Sequence, residues 1–175
     1  MKPTFTEFPP YYQSYYELLP DGDPVMMMRK QRSQLLTSLS SISEEESLFA
    51  YEPGKWTIRE LLGHLTDQER VFAFRAMSLA RGEKNPLPGM DHDAYVKAGD
   101  FNSRLKTDIL NEYIAVRESS VLLFESFSGE VLKLKGIVNG YETSVEALKY
   151  IIPAHELHHV NVLMERYLKV LRPGA

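Results

Sequence analysis

The chain has no cysteine. That excludes disulfides, a thiolate nucleophile of its own and cysteine metal ligands, so any chemistry must use histidine, carboxylates, hydroxyls or a metal. No run of about 18 apolar residues occurs, so no membrane-spanning helix is expected. No Lys/Arg-rich block occurs either, and the net charge is −4. Nucleic acid and anionic membrane are therefore poor candidates as partners. The N-terminal stretch MKPTFTEFPPYY lacks the apolar core of a signal peptide, and the expected location is the cytoplasm. Internal repeats and low-complexity segments are absent as well.

What is present is an ordinary globular composition: 175 residues, 43% hydrophobic and 25% charged. That suits one domain spanning residues 1–175 with a single core. Residues 1–22 read as an arm. Pro9 and Pro10 oppose a helix, while Tyr11, Tyr12, Tyr15 and Tyr16 need apolar surface to cover.

Four long amphipathic helices follow. The first begins at Asp23-Pro24, an N-cap followed by proline at the first helical position, and runs to about Ile42. The second has the clearest start in the chain. Thr57 and Glu60 form a capping box, Trp56 stands ready to staple onto Leu61, and Gly82 marks the end. Residues 82–103, rich in Gly, Pro, Asn and Asp, are long for a connection and suit a crossover or a functional element. The third helix is expected from a Ser103 cap to about Phe127. Asn139-Gly140, flanked by alternating residues, predicts a small β-hairpin. The fourth helix is expected from a Thr143 cap with Glu146 to about Leu171, with a kink at Pro153. The pattern predicts an all-α four-helix bundle of up-down-down-up order, with the long connection crossing between helices two and three.

The chemistry concentrates in His155-Glu156-Leu157-His158-His159. His155 and His159 are four apart and so share one helix face, a spacing that lets two imidazoles bind one divalent metal. His64, on the border of the second helix's apolar face, can supply a third nitrogen. Three readings compete. The histidines can be satisfied core or surface groups. His155-Glu156-x-x-His159 also matches the zinc-peptidase pattern H-E-x-x-H, but the extended form fails because Val162 stands where glycine is needed. The third reading is a metal site between helices, built from His64, His155 and His159. His92, between Asp91 and Asp93, reads as a solvated loop histidine. Glu60 and Gln68, four residues either side of His64, are candidates to orient its other ring nitrogen. Unperturbed histidine titrates near ~6.5, so protons are expected to compete with metal below that pH.

Two stretches carry a family resemblance. GKWTIRELLGHLTDQERVFAFRA resembles the first histidine motif of the DinB-like (damage-inducible) superfamily, and ALKYIIPAHELHHVNVLMERYL resembles its closing H-x-x-x-H motif. PGMDHDAYVKAGDFNSR and PPYYQSYYELLPDGD look like a branch described as metal-dependent hydrolases. The resemblance covers nearly the whole chain. It implies a four-helix bundle, one divalent metal (nickel or zinc) on His64, His155 and His159, and a homodimer. Similar proteins include S-transferases that use bacillithiol or mycothiol, and a mycothiol-dependent isomerase. The resemblance therefore implies a metal that activates a small-molecule thiol for transfer to an electrophile. The alternatives are a hydrolase using metal-activated water and a non-catalytic metal-binding stress or interaction protein. His158 is an additional histidine beside the triad.

Overall fold

The computed structural model describes residues 8–173, so the first seven residues of the arm lie outside it. The helices in chain order are α1 (Gln13–Glu17), α2 (Pro24–Leu39), α3 (Ile58–Ala80), α4 (His92–Gly99), α5 (Lys106–Glu125), α6 (Gly129–Leu132), α7 (Val145–Val162) and α8 (Lys169–Leu171). A hairpin of β1 (Lys135–Val138) and β2 (Tyr141–Ser144) precedes α7. A π-helical turn, Leu163–Leu168, joins α7 to α8.

The bundle is formed by α2, α3, α5 and α7, and its order can be read from named pairs. Along α3 and α5, Arg59 bonds the Arg104 carbonyl, Arg70 pairs with Glu112, and Glu69 pairs with Arg117. The first residues of α3 meet the start of α5 and residues further along α3 meet residues further along α5, so these two helices are parallel. Arg29 meets Glu125 and Arg32 meets Glu118, which makes α2 antiparallel to α5. His64 meets His155 and Trp56 meets Tyr167, which makes α3 antiparallel to α7. The result is up-down-down-up, with residues 81–105 travelling the length of the bundle.

The start of α3 matches the sequence reading. The Thr57 hydroxyl accepts from the Glu60 amide, and the Glu60 carboxylate accepts from the Thr57 amide. The hairpin also holds. Asn139 and Gly140 have φ of 49° and 81°, the left-handed pair that a two-residue hairpin turn requires.

Four local expectations are corrected. Ser103 does not cap α5; its hydroxyl bonds the Asp100 carbonyl. The α5 amides of Lys106 and Thr107 instead donate to Glu44, a carboxylate from the α2–α3 connection that suits the positive end of a helix. Thr143 remains in β2 opposite Gly136, so the cap passes to Ser144, which accepts from Ala147. Glu146 is then one residue short of a capping box. The helix continues through Pro153, and the irregular turn comes later, at Leu163–Leu168. Finally, α2 ends at Leu39, three residues before Ile42.

The crossover is not bare loop. Asp91 caps α4 by accepting from the Ala94 amide, and Phe101 anchors the segment. A Cβ on Gly63 of α3 would collide with the Phe101 ring, so glycine there lets the crossover lie directly against the helix one residue from His64.

The apolar interior divides into two clusters. One holds Met28, Phe72, Val121 and Ile152; the other holds Leu35, Leu65, Tyr113 and Leu163. Between them, each bundle helix contributes a buried polar side chain: Gln31, Glu69, Arg117 and Glu156. Arg117 bonds Glu69, Glu156 and the Met28 carbonyl, and Tyr113 donates to Glu156. Gln31 donates to the Pro153 carbonyl. Buried charge is costly unless it is paired and hydrogen-bonded, and Arg117, Glu69 and Glu156 are so paired. The histidines lie at the same level.

Candidate metal centre

His64 comes from α3, and His155 and His159 come from α7. The three offer nitrogen atoms that all lie within 4.8 Å of one another. His64 Nε2 and His155 Nε2 are 3.0 Å apart. Ring centroids stand 4.9 Å (His64–His155), 4.8 Å (His64–His159) and 4.5 Å (His155–His159) apart. Nitrogens bound to zinc at 2.0–2.1 Å in a tetrahedron would stand about 3.3 Å apart, so the donor set fits a divalent ion.

The electrostatics fit as well. Burial lowers the His64 pKa to about 4, with a smaller contribution from His92. Burial and the neighbouring imidazoles lower His159 to about 2 and push His155 well below the ordinary value. All three rings are therefore neutral at physiological pH, the form that binds metal.

Several candidates take other places. Glu156 turns away from the histidines and accepts from Tyr113 and Arg117. It cannot be the general base that the H-E-x-x-H pattern requires. Glu60 is held in the cap of α3, and His64 Nδ1 is buried without a hydrogen-bond partner among the described residues, so neither Glu60 nor Gln68 orients it. Packing does this instead, with the Trp56 ring 4.7 Å from the His64 ring. His158 stacks on Tyr15 of the arm, centroids 4.0 Å apart and planes 15° from parallel. His92 sits in the first turn of α4, 57% exposed, with its ring 5.9 Å from His64. It is solvated, as expected, but at the mouth of the site rather than in a remote loop.

A cavity of about 210 Å³ opens beside the three histidines. Its wall is completed by Tyr11, Tyr12, Tyr15, Trp56, Gln68 and His92. No carboxylate is among its described lining residues. The arm tyrosines were legible as aromatics needing cover, but no spacing signal placed them here. Tyr12 packs edge-on against Phe72, and Tyr11 accepts from the Asn139 side chain in the hairpin turn.

Fold and site together define a four-helix bundle with a three-histidine cluster between antiparallel helices. A family model of the DinB superfamily matches residues 27–163, and the chain belongs to that superfamily. A curated Oceanobacillus iheyensis protein named "Putative metal-dependent hydrolase OB0413" is 27% identical over 131 residues, covering 73% of this chain and 74% of its own length. YfiT from Bacillus subtilis, described as a probable metal-dependent hydrolase with an unusual four-helix bundle topology, superposes with a TM-score of 0.78. That match covers all of this chain and 95% of YfiT at 14% identity, and so speaks for the fold. No described helix is long and apolar enough to cross a membrane.

Proposed function

We propose that this protein is a metal-dependent enzyme in which His64, His155 and His159 hold one divalent ion, zinc or nickel, that activates a small-molecule thiol for transfer to an electrophile. The convergence of three neutral imidazoles at the wall of a cavity supports this reading most directly. A divalent ion held by three neutral ligands keeps its full charge and acidifies a thiol or water in its open position.

The chain's own residues supply the rest. Tyr12, Tyr15 and Trp56 form an aromatic wall that limits water and packs against the apolar part of a substrate. In such a transfer the thiol proton would leave to solvent through the open mouth of the cavity, where His92 stands. The sulfur bonds the electrophilic carbon, and the leaving group departs with the bonding electron pair.

Hydrolysis is the second reading. It is supported by the names of the two relatives. The test is to load the protein with zinc or nickel and supply 1-chloro-2,4-dinitrobenzene with and without a small thiol, then 4-nitrophenyl acetate without thiol. Thiol-dependent release of chloride, absent in His64→Ala, supports transfer. Thiol-independent ester cleavage that is lost in the same variant moves the assignment to hydrolase. Neither activity in the metal-loaded protein would favour a non-catalytic role.

A further inference from the structure

Arg75 lies on α3 eleven residues beyond His64 and seven beyond Gln68. It is only 5% exposed, yet no carboxylate pairs with it among the described residues. Its one hydrogen bond runs from Nη2 to the Pro88 carbonyl, 2.7 Å. Burying a guanidinium without a counter-charge is costly, and burial does lower its pKa. The other buried arginines are paired, Arg117 with two carboxylates and Arg59 with Glu44. The contrast marks Arg75 as a charge whose partner is not part of the fold.

Arg75 lines a cavity of about 200 Å³ together with Tyr11, Tyr12, Gln68, His92 and Asn139. Four of these, Tyr11, Tyr12, Gln68 and His92, also line the histidine cavity, so the two spaces adjoin. The lining is rich in donors. The Tyr11 hydroxyl accepts from Asn139 Nδ2. No carboxylate is among the described lining residues. Eleven residues of helix separate the Cα atoms of His64 and Arg75 by about 16 Å, and helical side chains lean towards the N-terminus, so the guanidinium points back towards the histidines.

We propose that Arg75 binds a carboxylate of the substrate, so that an elongated organic acid lies with its anion on Arg75 and its reacting end at the three histidines. This rests on the reading of that cluster as the reactive centre. A carboxylate matches the planar fork of a guanidinium and carries the single charge that one arginine neutralises. A phosphate dianion would leave one charge uncompensated in the cavity.

Glutarate, its neutral analogue glutaramide, and inorganic phosphate serve as probes. Each is titrated by calorimetry into metal-free and zinc-loaded full-length protein. Wild type is expected to bind glutarate at least tenfold more tightly than glutaramide and more tightly than phosphate, with or without zinc. Arg75→Met should lose that preference and Arg75→Lys should keep part of it, with circular dichroism confirming the fold. The preference in wild type tests the inference even if the variants do not fold. Equal binding of glutarate and glutaramide, an unchanged preference in Arg75→Met, or tighter binding of phosphate would overturn it. Zinc binding without glutarate binding would remove the anion site and leave the metal reading standing. Glutarate binding without zinc binding would do the reverse.

Discussion

Replacing Arg117 with methionine tests whether the polar layer at the middle of the bundle is held by charge pairing. Arg117 is 1% exposed and donates from Nε and Nη2 to Glu69, from Nη2 to Glu156 and from Nη1 to the Met28 carbonyl. Methionine fills much of the volume but leaves two buried carboxylates facing each other. Removing one partner of a buried ion pair typically costs about 3–5 kcal/mol. For a chain of this size that is roughly 6–20 °C in Tm. The loss should depend on pH in a defined direction. Burial already raises the Glu156 pKa, although Arg117 opposes the shift. Without the guanidinium, Glu156 loses the contact that opposes its upward shift and should rise further above the ordinary value of about 4.3. The folded variant then binds more protons than its unfolded chain as pH falls, so acid relieves the penalty. Urea unfolding followed by circular dichroism at about pH 8, 7, 6 and 5 should show the gap to wild type narrowing towards pH 5. Adding Glu156→Gln should restore part of the stability at neutral pH, because one of the two abandoned charges is gone. A gap under about 1 kcal/mol, or one independent of pH, would refute the claim that Arg117 neutralises this layer.

Further outcomes follow from the histidine cluster. His64→Ala, His155→Ala and His159→Ala should each weaken zinc binding by roughly a hundredfold while the bundle stays folded, whereas His92→Ala should bind zinc like wild type; isothermal titration with a circular dichroism control decides this. Because burial holds His64 near 4 and His159 near 2, zinc affinity should change little from pH 7.5 to about 5.5. A tenfold fall between about pH 7.5 and 6.5 would contradict that. In metal-free protein the unfolded histidines take up protons near 6.5 while the folded ones do not. The stability His64 contributes at neutral pH is therefore lost as pH falls from about 6.5 to about 4, at up to about 1.4 kcal/mol per pH unit. Light scattering should report twice the 20.1 kDa chain mass if the protein is the homodimer that the family resemblance implies.

Elements with local signals were legible. The capping box at Thr57, the Asp23-Pro24 start and the Asn139-Gly140 turn are each set by side chains a few residues apart, and each appears where expected. The four-residue spacing of His155 and His159 likewise located the cluster. What escaped depends on distant partners. The start of α5 is fixed by Glu44, more than sixty residues away in sequence, and Ser103 was the nearest local candidate. Thr143 was a sound cap by pattern, but strand pairing with Gly136 holds it in the hairpin. The proton competition expected below 6.5 moved to lower pH because burial, invisible in a sequence, dominates the histidines. The arginine layer and the arm's place on the cavity wall had no periodic signature at all.

The wall of the site has a consequence for biosynthesis. Tyr15 is made before His158, on which it stacks, by roughly 140 residues, so their contact closes a long loop. The arm leaves the ribosome well before the helix that receives it. It must wait in solution, with its tyrosines uncovered, until α7 has emerged. The cavity beside the histidines is therefore completed only once α7 has emerged, and a truncated product lacking α7 would carry His64 but neither the other two histidines nor an anchored wall.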